Sequence, residues 1–198
     1  MQLKHKCSVL IGEYPWASSL EKEVLPVVEN QDCKQGKKTN VKATMSNWNI
    51  TSPEIEKLKK YIKNEIGDTQ FITKEKIEFD WVNFWAAVYY KGDYSVKHDH
   101  FPCYWSFVYF LKTKWYHSSL KFSDSGKKVR PKNGRYVIFP SYLQHHVPKH
   151  RYNNKRIVLA GNLTIVNQIY HFKNNLRPDY ITENAAFNAV KSLDAALK

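Results

Sequence analysis

The stretch FDWVNFWAAVYYKGDYSVKHDHFPCYWSFVYFL, residues 79–111, decides the fold. Its first part, residues 79–90, is aromatic, β-branched or small and apolar almost throughout, with no helical spacing. That composition suits a strand buried on both faces. Gly92-Asp93 is a turn signal. SVKHDH (95–100) follows, and then YWSFVYFL (104–111), a second nearly unbroken apolar run. The same rhythm continues in SSLKFSD (118–124), GRYVIFP (134–140), a loop carrying His145, His146 and His150, and RIVLAGNLTIV (156–166). Short strands with turns about every ten residues predict an all-β barrel or sandwich core.

Upstream the pattern is helical. SSLEKEVLPVVE (18–29) spaces Leu20, Val24, Val27 and Val28 along one face behind capping serines, and Pro26 predicts a short or kinked helix. Ser52-Pro53 is an N-cap with proline in the first turn. Ile55, Leu58, Ile62 and Ile66 then form one stripe that ends at Gly67. Residues 30–47 are polar, basic and aperiodic, and read as a loop. Ser8 to Gly12 reads as a first strand and Ala185 to Leu197 as a C-terminal helix. The expectation is one mainly β domain with flanking helices: a helical support over about 1–70, a β core over 71–166 and an extension over 167–198.

Composition narrows the function classes. A hydrophobic fraction of 42% in 198 residues is enough for a real core and argues against a disordered chain. No apolar run reaches the ~18 residues of a membrane-spanning helix. The N-terminus has no small-residue cleavage site, so a signal peptide is not expected. Cys7, Cys33 and Cys103 are an odd, scattered set, read as free thiols of a cytoplasmic protein. The net charge of +13 favours an acidic partner: a nucleic acid, an acidic protein, or small carboxylates and phosphates. Basic clusters lie at 34–42, 127–135 and 149–156. There is no GxSxG elbow and no phosphate-binding glycine loop.

Four of the eight histidines fall in two places, His98 with His100 and His145 with His146. On a strand, residues i and i+2 share a face. Two imidazoles so placed converge on one ion from one side, while Asp99 faces away unless a bulge re-aims it. His145 or His146 can return a third nitrogen, and imidazoles suit Fe, Zn, Cu and Ni. Arg156 opens an otherwise apolar strand. A buried charge there needs a partner, and a guanidinium grips a carboxylate with two parallel bonds.

The order of these pieces resembles the 2-oxoglutarate- and Fe(II)-dependent oxygenase superfamily, and more closely a bacterial and phage group within it. The resemblance rests on Gly92-Asp93-Tyr94, His98-Asp99-His100-Phe101-Pro102, Ser106 to Leu111, Ser119 to Phe122, Phe139 to Val147, and Arg156 to Asn162. It covers about residues 40–165. It implies a distorted double-stranded β-helix of jelly-roll or cupin type. It also implies an Fe(II) held by His98, His100 and His145, 2-oxoglutarate with its far carboxylate on Arg156, O2 as second substrate, and hydroxylation with release of succinate. Tyr109 is a further candidate to hydrogen-bond the cosubstrate. The superfamily's usual second ligand is a carboxylate, so Asp99 is the alternative to His100. A phenylalanine inserted before Pro102 and Tyr142 in place of tryptophan depart from the group's pattern.

Two rival readings use the same residues. A structural zinc site would take the histidines with Cys103, but at a spacing unusual for closed four-ligand sites. A binding module would keep the fold, leave the site idle, and meet nucleic acid or an acidic protein through residues 125–136 and 149–156. His117 and His171 read as core histidines.

Overall fold

A computed structural model describes residues 7–30, 40–68 and 77–166. The expected helix at 185–197, together with His171 and Cys33, lies outside them.

The elements run β1 (Leu10–Glu13), α1 (Ala17–Asn30), β2 (Val41–Lys42), β3 (Thr44–Met45), α2 (Pro53–Asp68), β4 (Phe79–Tyr89), β5 (Tyr94–His98), β6 (Trp105–Lys112), β7 (Leu120–Phe122), β8 (Lys128–Val129), β9 (Arg135–Pro140), β10 (His145–Val147) and β11 (Arg156–Ile165). They build two antiparallel sheets. The major sheet has the order β1-β9-β6-β11-β4-β3, and the minor sheet β2-β5-β10-β7-β8. From β4 to β11 the chain alternates between the sheets, apart from the β7–β8 pair, as in a double-stranded β-helix.

Burial on both faces explains the apolar texture of β4, β6 and β11. β11 is central, with Leu159 opposite Ala86 on one side and Tyr109 on the other. Its alternation feeds two cores. Ile157 and Leu159 point outward to the helices, where they meet Leu20, Leu58, Ile62 and Ile66. Val158 and Ala160 point between the sheets, towards Trp85, Phe139 and Val147. Each such side chain contributes about 1.5–3 kcal/mol on leaving water. Gly161 sits where a Cβ would meet the Trp81 ring at 2.7 Å and the Asn83 carbonyl at 2.8 Å, so a side chain would force the strands apart.

Both helices form where the apolar stripes predict them. Ser52 Oγ accepts from Ile55 N at 3.3 Å and caps α2. Pro26 lies within α1 rather than ending it. Two expectations need correction. Residues 40–47 are not all loop, because β2 and β3 add edge strands to the two sheets. The histidine loop is not irregular either: His145 to Val147 is strand β10, at the centre of the minor sheet. Two- and three-residue strands are too short to show a period, and their neighbours hold them in place.

Candidate metal centre

Three imidazoles meet between the sheets. His98 ends β5, His145 opens β10, and the two are register partners. Their ring centroids are 4.4 Å apart. His100 lies two residues beyond the end of β5. It is held by its backbone N–H, which donates to the Ser141 carbonyl at 2.8 Å. Strand alternation therefore positions His98, and the turn after β5 positions His100. The His100 ring stands 4.9 Å from that of His98 and 5.1 Å from that of His145. One ligand atom from each of the three lies within 4.8 Å of the others.

The tautomers suit a metal. His98 Nδ1 lies 2.7 Å from the Val96 carbonyl and His145 Nδ1 2.9 Å from the Leu143 carbonyl. A carbonyl only accepts, so each Nδ1 carries the hydrogen and each Nε2 the lone pair. Burial pushes His145 down to about 3, with His98 adding to the effect and the Leu143 carbonyl opposing it. Burial, reinforced by His98 and His145, holds His100 well below the usual imidazole range. Both rings are neutral at pH 7 and free to act as ligands. Nitrogens ~2.1 Å from one ion can be at most ~4.2 Å apart, so the cluster closes on an ion with side-chain movements of about 1 Å.

Asp99 and His146 stay outside the cluster. Asp99 Oδ1 accepts from Phe101 N at 3.2 Å, which turns the carboxylate to its own backbone. On β10 the two neighbouring histidines alternate: His145 points inward, and His146 outward to Ser123 Oγ at 3.1 Å. His150 and His117 form a separate buried pair around Asn154, as a core reading of His117 expects.

Arg156 lies in the same cavity as the three histidines. It is 1% exposed. Its Nε donates to the Ser118 carbonyl at 3.1 Å, and the guanidinium sits 4.7 Å over the Tyr89 ring and 5.6 Å from that of Phe110. Nη1 is buried without a hydrogen-bond partner. A buried, unpaired guanidinium nitrogen is costly and calls for an anion. Tyr89 and Ser118 carry no motif, and the sequence did not reveal them. Tyr109 is a correction: it faces the helices, with its ring 6.2 Å from that of Tyr14, on the side of the major sheet away from the histidines. β6 alternates, so Val108 and Phe110 take the inner face and Tyr109 the outer one.

A family profile described as "Putative 2OG-Fe(II) oxygenase" matches residues 125–162, which include His145 and Arg156. Over that stretch the chain is similar to the 2-oxoglutarate- and Fe(II)-dependent oxygenases. No curated protein matches it in sequence. The fold is similar to that of the viral collagen prolyl hydroxylase of Paramecium bursaria Chlorella virus-1, solved with 2-oxoglutarate, at 14% identity and a TM-score of 0.62. That match covers 80% of this chain and 96% of the other. It is also similar to a Pseudomonas putida prolyl-4-hydroxylase, at 17% identity and a TM-score of 0.61, covering 80% and 93%. A third, HygX from Streptomyces hygroscopicus with nickel and 2-oxoglutarate bound, has 10% identity and a TM-score of 0.60, covering 81% and 84%. The donor set and the open Arg156 nitrogen fit the superfamily's cofactors, Fe(II), 2-oxoglutarate and O2. Among the described residues no helix is long and apolar enough to cross a membrane.

Proposed function

We propose that His98, His100 and His145 hold the Fe(II), that Arg156 binds the far carboxylate of 2-oxoglutarate, and that the enzyme hydroxylates a substrate reaching the histidines from the loop side of His100. The observation that carries this reading is the sharing of one narrow cavity by three imidazoles and a buried guanidinium with an unpaired nitrogen. When bound, the iron and 2-oxoglutarate supply the activation of O2, with succinate and CO2 as by-products.

The chain's own residues define the rest. Val96 and Leu143 fix two imidazoles as Nε2 donors, and Ser141 sets the position of His100. Tyr89, Phe110 and Ser118 aim the guanidinium along the cavity, so a dicarboxylate is recognised at the end remote from the metal. Trp85, Phe139, Val147 and Val158 make the walls apolar and exclude competing water. Trp48 packs on Trp85, and the Trp85 ring lies 6.3 Å from that of His100. The wall next to the third imidazole is therefore aromatic, and it favours a substrate that presents a C–H bond on an apolar surface. The free thiols Cys7 and Cys103 support a reducing, cytoplasmic setting.

The test is anaerobic titration with Fe(II) and then 2-oxoglutarate, following the visible metal-to-ligand charge-transfer band. The band is expected in the wild type and not in His145→Ala. A wild-type protein without it would overturn the cosubstrate assignment.

A further inference from the structure

Among the connections that cross between the sheets at the end of the barrel where β11 begins, residues 90–93, 113–119 and 148–155 are bonded to one another. Two features there lie outside the cavity of the histidines and Arg156. One is a set of exposed aromatic rings. Trp115 is 79% exposed, Tyr90 43% and Tyr152 39%. Tyr116 bridges two of them, with its ring 5.6 Å from Trp115 and 4.5 Å from Tyr152. Lys155 Nζ stands 5.7 Å over Tyr90. The other feature is charge. Around these rings the chain carries Lys91, Lys112, Lys114, Lys149, Arg151 and Lys155, against Asp93 as the acid of these loops. Asp93 is spent on the backbone, accepting from Tyr90 N at 2.8 Å, and Lys112 pairs with Glu29 at 3.0 Å.

The loops beneath the rings are braced. His117 Nε2 lies 3.2 Å from Asn154 Oδ1, His150 Nε2 lies 2.7 Å from the Asn154 carbonyl, and Asn154 Nδ2 donates to Tyr116 Oη at 2.9 Å. Gly92 N and His150 N exchange bonds with the carbonyls of His150 and Asp93, both at 2.7 Å. A buried polar network therefore fixes loops whose outer surface shows tryptophan and tyrosine to water. Rigid display of aromatic rings among cations is a stacking platform for bases with counter-charges for phosphates.

We infer that this end of the barrel, carrying Tyr90, Trp115 and Tyr152 between Lys114, Arg151 and Lys155, is a docking surface for single-stranded nucleic acid. An acidic polypeptide would use the charges and leave the rings unused. A lipid surface would call for aliphatic side chains, and the exposed large hydrophobics of these loops are one tryptophan and two tyrosines. The surface is separate from the His98 cluster, at the opposite ends of the strands, and the inference stands apart from the oxygenase assignment.

The test uses the whole chain and fluorescein-labelled single-stranded DNA and RNA of about twelve mixed-sequence nucleotides. Anisotropy is followed at about 50 and 200 mM salt, with polyglutamate and phosphatidylserine vesicles as rivals. Saturable binding that weakens with salt is expected. Trp115→Ala and Tyr152→Ala should each weaken it by about fivefold or more, the lower range for one lost base stack. Lys155→Gln should lower the salt slope by about 0.7, one single-strand phosphate contact. Trp115→Ala should turn over 2-oxoglutarate like the wild type. Absence of saturable binding, aromatic variants binding within twofold of the wild type, or tighter binding of polyglutamate or vesicles would each overturn the inference.

Discussion

Replacing Arg156 with methionine separates what the guanidinium does for the fold from what it does for the cavity. In the metal-free chain its Nε donates to the Ser118 carbonyl, Tyr89 adds a side-chain hydrogen bond, and the guanidinium lies against the Tyr89 and Phe110 rings. The charged hydrogen bond is worth about 1.5–3 kcal/mol and the cation–π contacts about 0.5–2 kcal/mol. Against them stands the burial of a full charge, which costs several kcal/mol even after relaxation. No carboxylate pairs with Arg156 among the described residues, and Nη1 has no partner. The two sides nearly cancel. Apolar replacement of a buried ion of similar volume is often neutral or stabilising by about 1–4 kcal/mol. The urea midpoint of metal-free Arg156→Met should therefore match or exceed that of the wild type. Its affinity for 2-oxoglutarate, titrated calorimetrically on the Mn(II)-loaded protein, should fall by about 2–5 kcal/mol, or roughly 30-fold to several thousand-fold. Arg156→Lys keeps the charge and loses the fork, and should fall between the two. An unchanged 2-oxoglutarate affinity would refute the anion-binding argument. A large drop in the urea midpoint would show that the arginine is there for the fold.

Three further outcomes follow from the same geometry. His98→Ala should lose Mn(II) binding with its near-UV spectrum intact, whereas Asp99→Ala should keep it, because that carboxylate serves the Phe101 amide; loss of metal in Asp99→Ala would restore the carboxylate as the ligand. Burial pushes His145 down to about 3 and His117 down to about 4, from the ordinary imidazole value of 6.5. Below pH 6.5 the unfolded chain binds protons that the folded one refuses, so the metal-free protein should lose stability as pH falls from 6.5 towards 4. A urea midpoint that is flat between pH 7 and 5 would contradict neutral burial. Asn162→Leu breaks a buried chain in which Asn162 Nδ2 donates to Asn83 Oδ1 at 3.0 Å, Ser106 Oγ donates to Asn162 Oδ1 at 2.9 Å, and Ser106 meets Ser141 Oγ at 2.9 Å. Each orphaned group costs about 1–3 kcal/mol. Metal affinity should weaken as well, since Ser141 holds His100, and a variant as stable as the wild type would show that the chain is dispensable.

The long strands could be read in the sequence because burial on both faces leaves a continuous apolar run, as in β4 and β11. The helices could be read because one face of each is buried, which leaves a stripe. His98 and Arg156 were legible for the same reason: each interrupts or borders an apolar segment, where a polar group must have a purpose. The roles of His100 and Tyr109 depended on details that composition does not carry. β5 ends at His98, so a turn and the Ser141 carbonyl place His100, and no i, i+2 rule applies to it. The outward face of Tyr109 follows from the register of β6 against β11, and an apolar run that is buried on both sides hides its own phase. β10 escaped notice because its three residues draw their regularity from β5 and β7.

The charge balance of the cavity joins these residues into one device. Among the described residues no carboxylate lines it, and Arg156 is the one lining cation that stays charged at every working pH. A site with a carboxylate ligand would offset part of the charge of a divalent metal. Three imidazole ligands would offset none, so the metal alone would add two positive charges to a low-dielectric space that already holds one. A dianion that reaches both the metal and Arg156 cancels most of that charge, and it also pairs the orphaned Nη1. The empty cavity and the cavity with metal alone are therefore the unfavourable states. By linkage, whatever 2-oxoglutarate gains from the metal, the metal gains from 2-oxoglutarate. With the proposed ligand set, the guanidinium and its orphaned Nη1, a liability in the free chain, would make tight metal binding conditional on the cosubstrate, and His100 in place of a carboxylate would strengthen that condition.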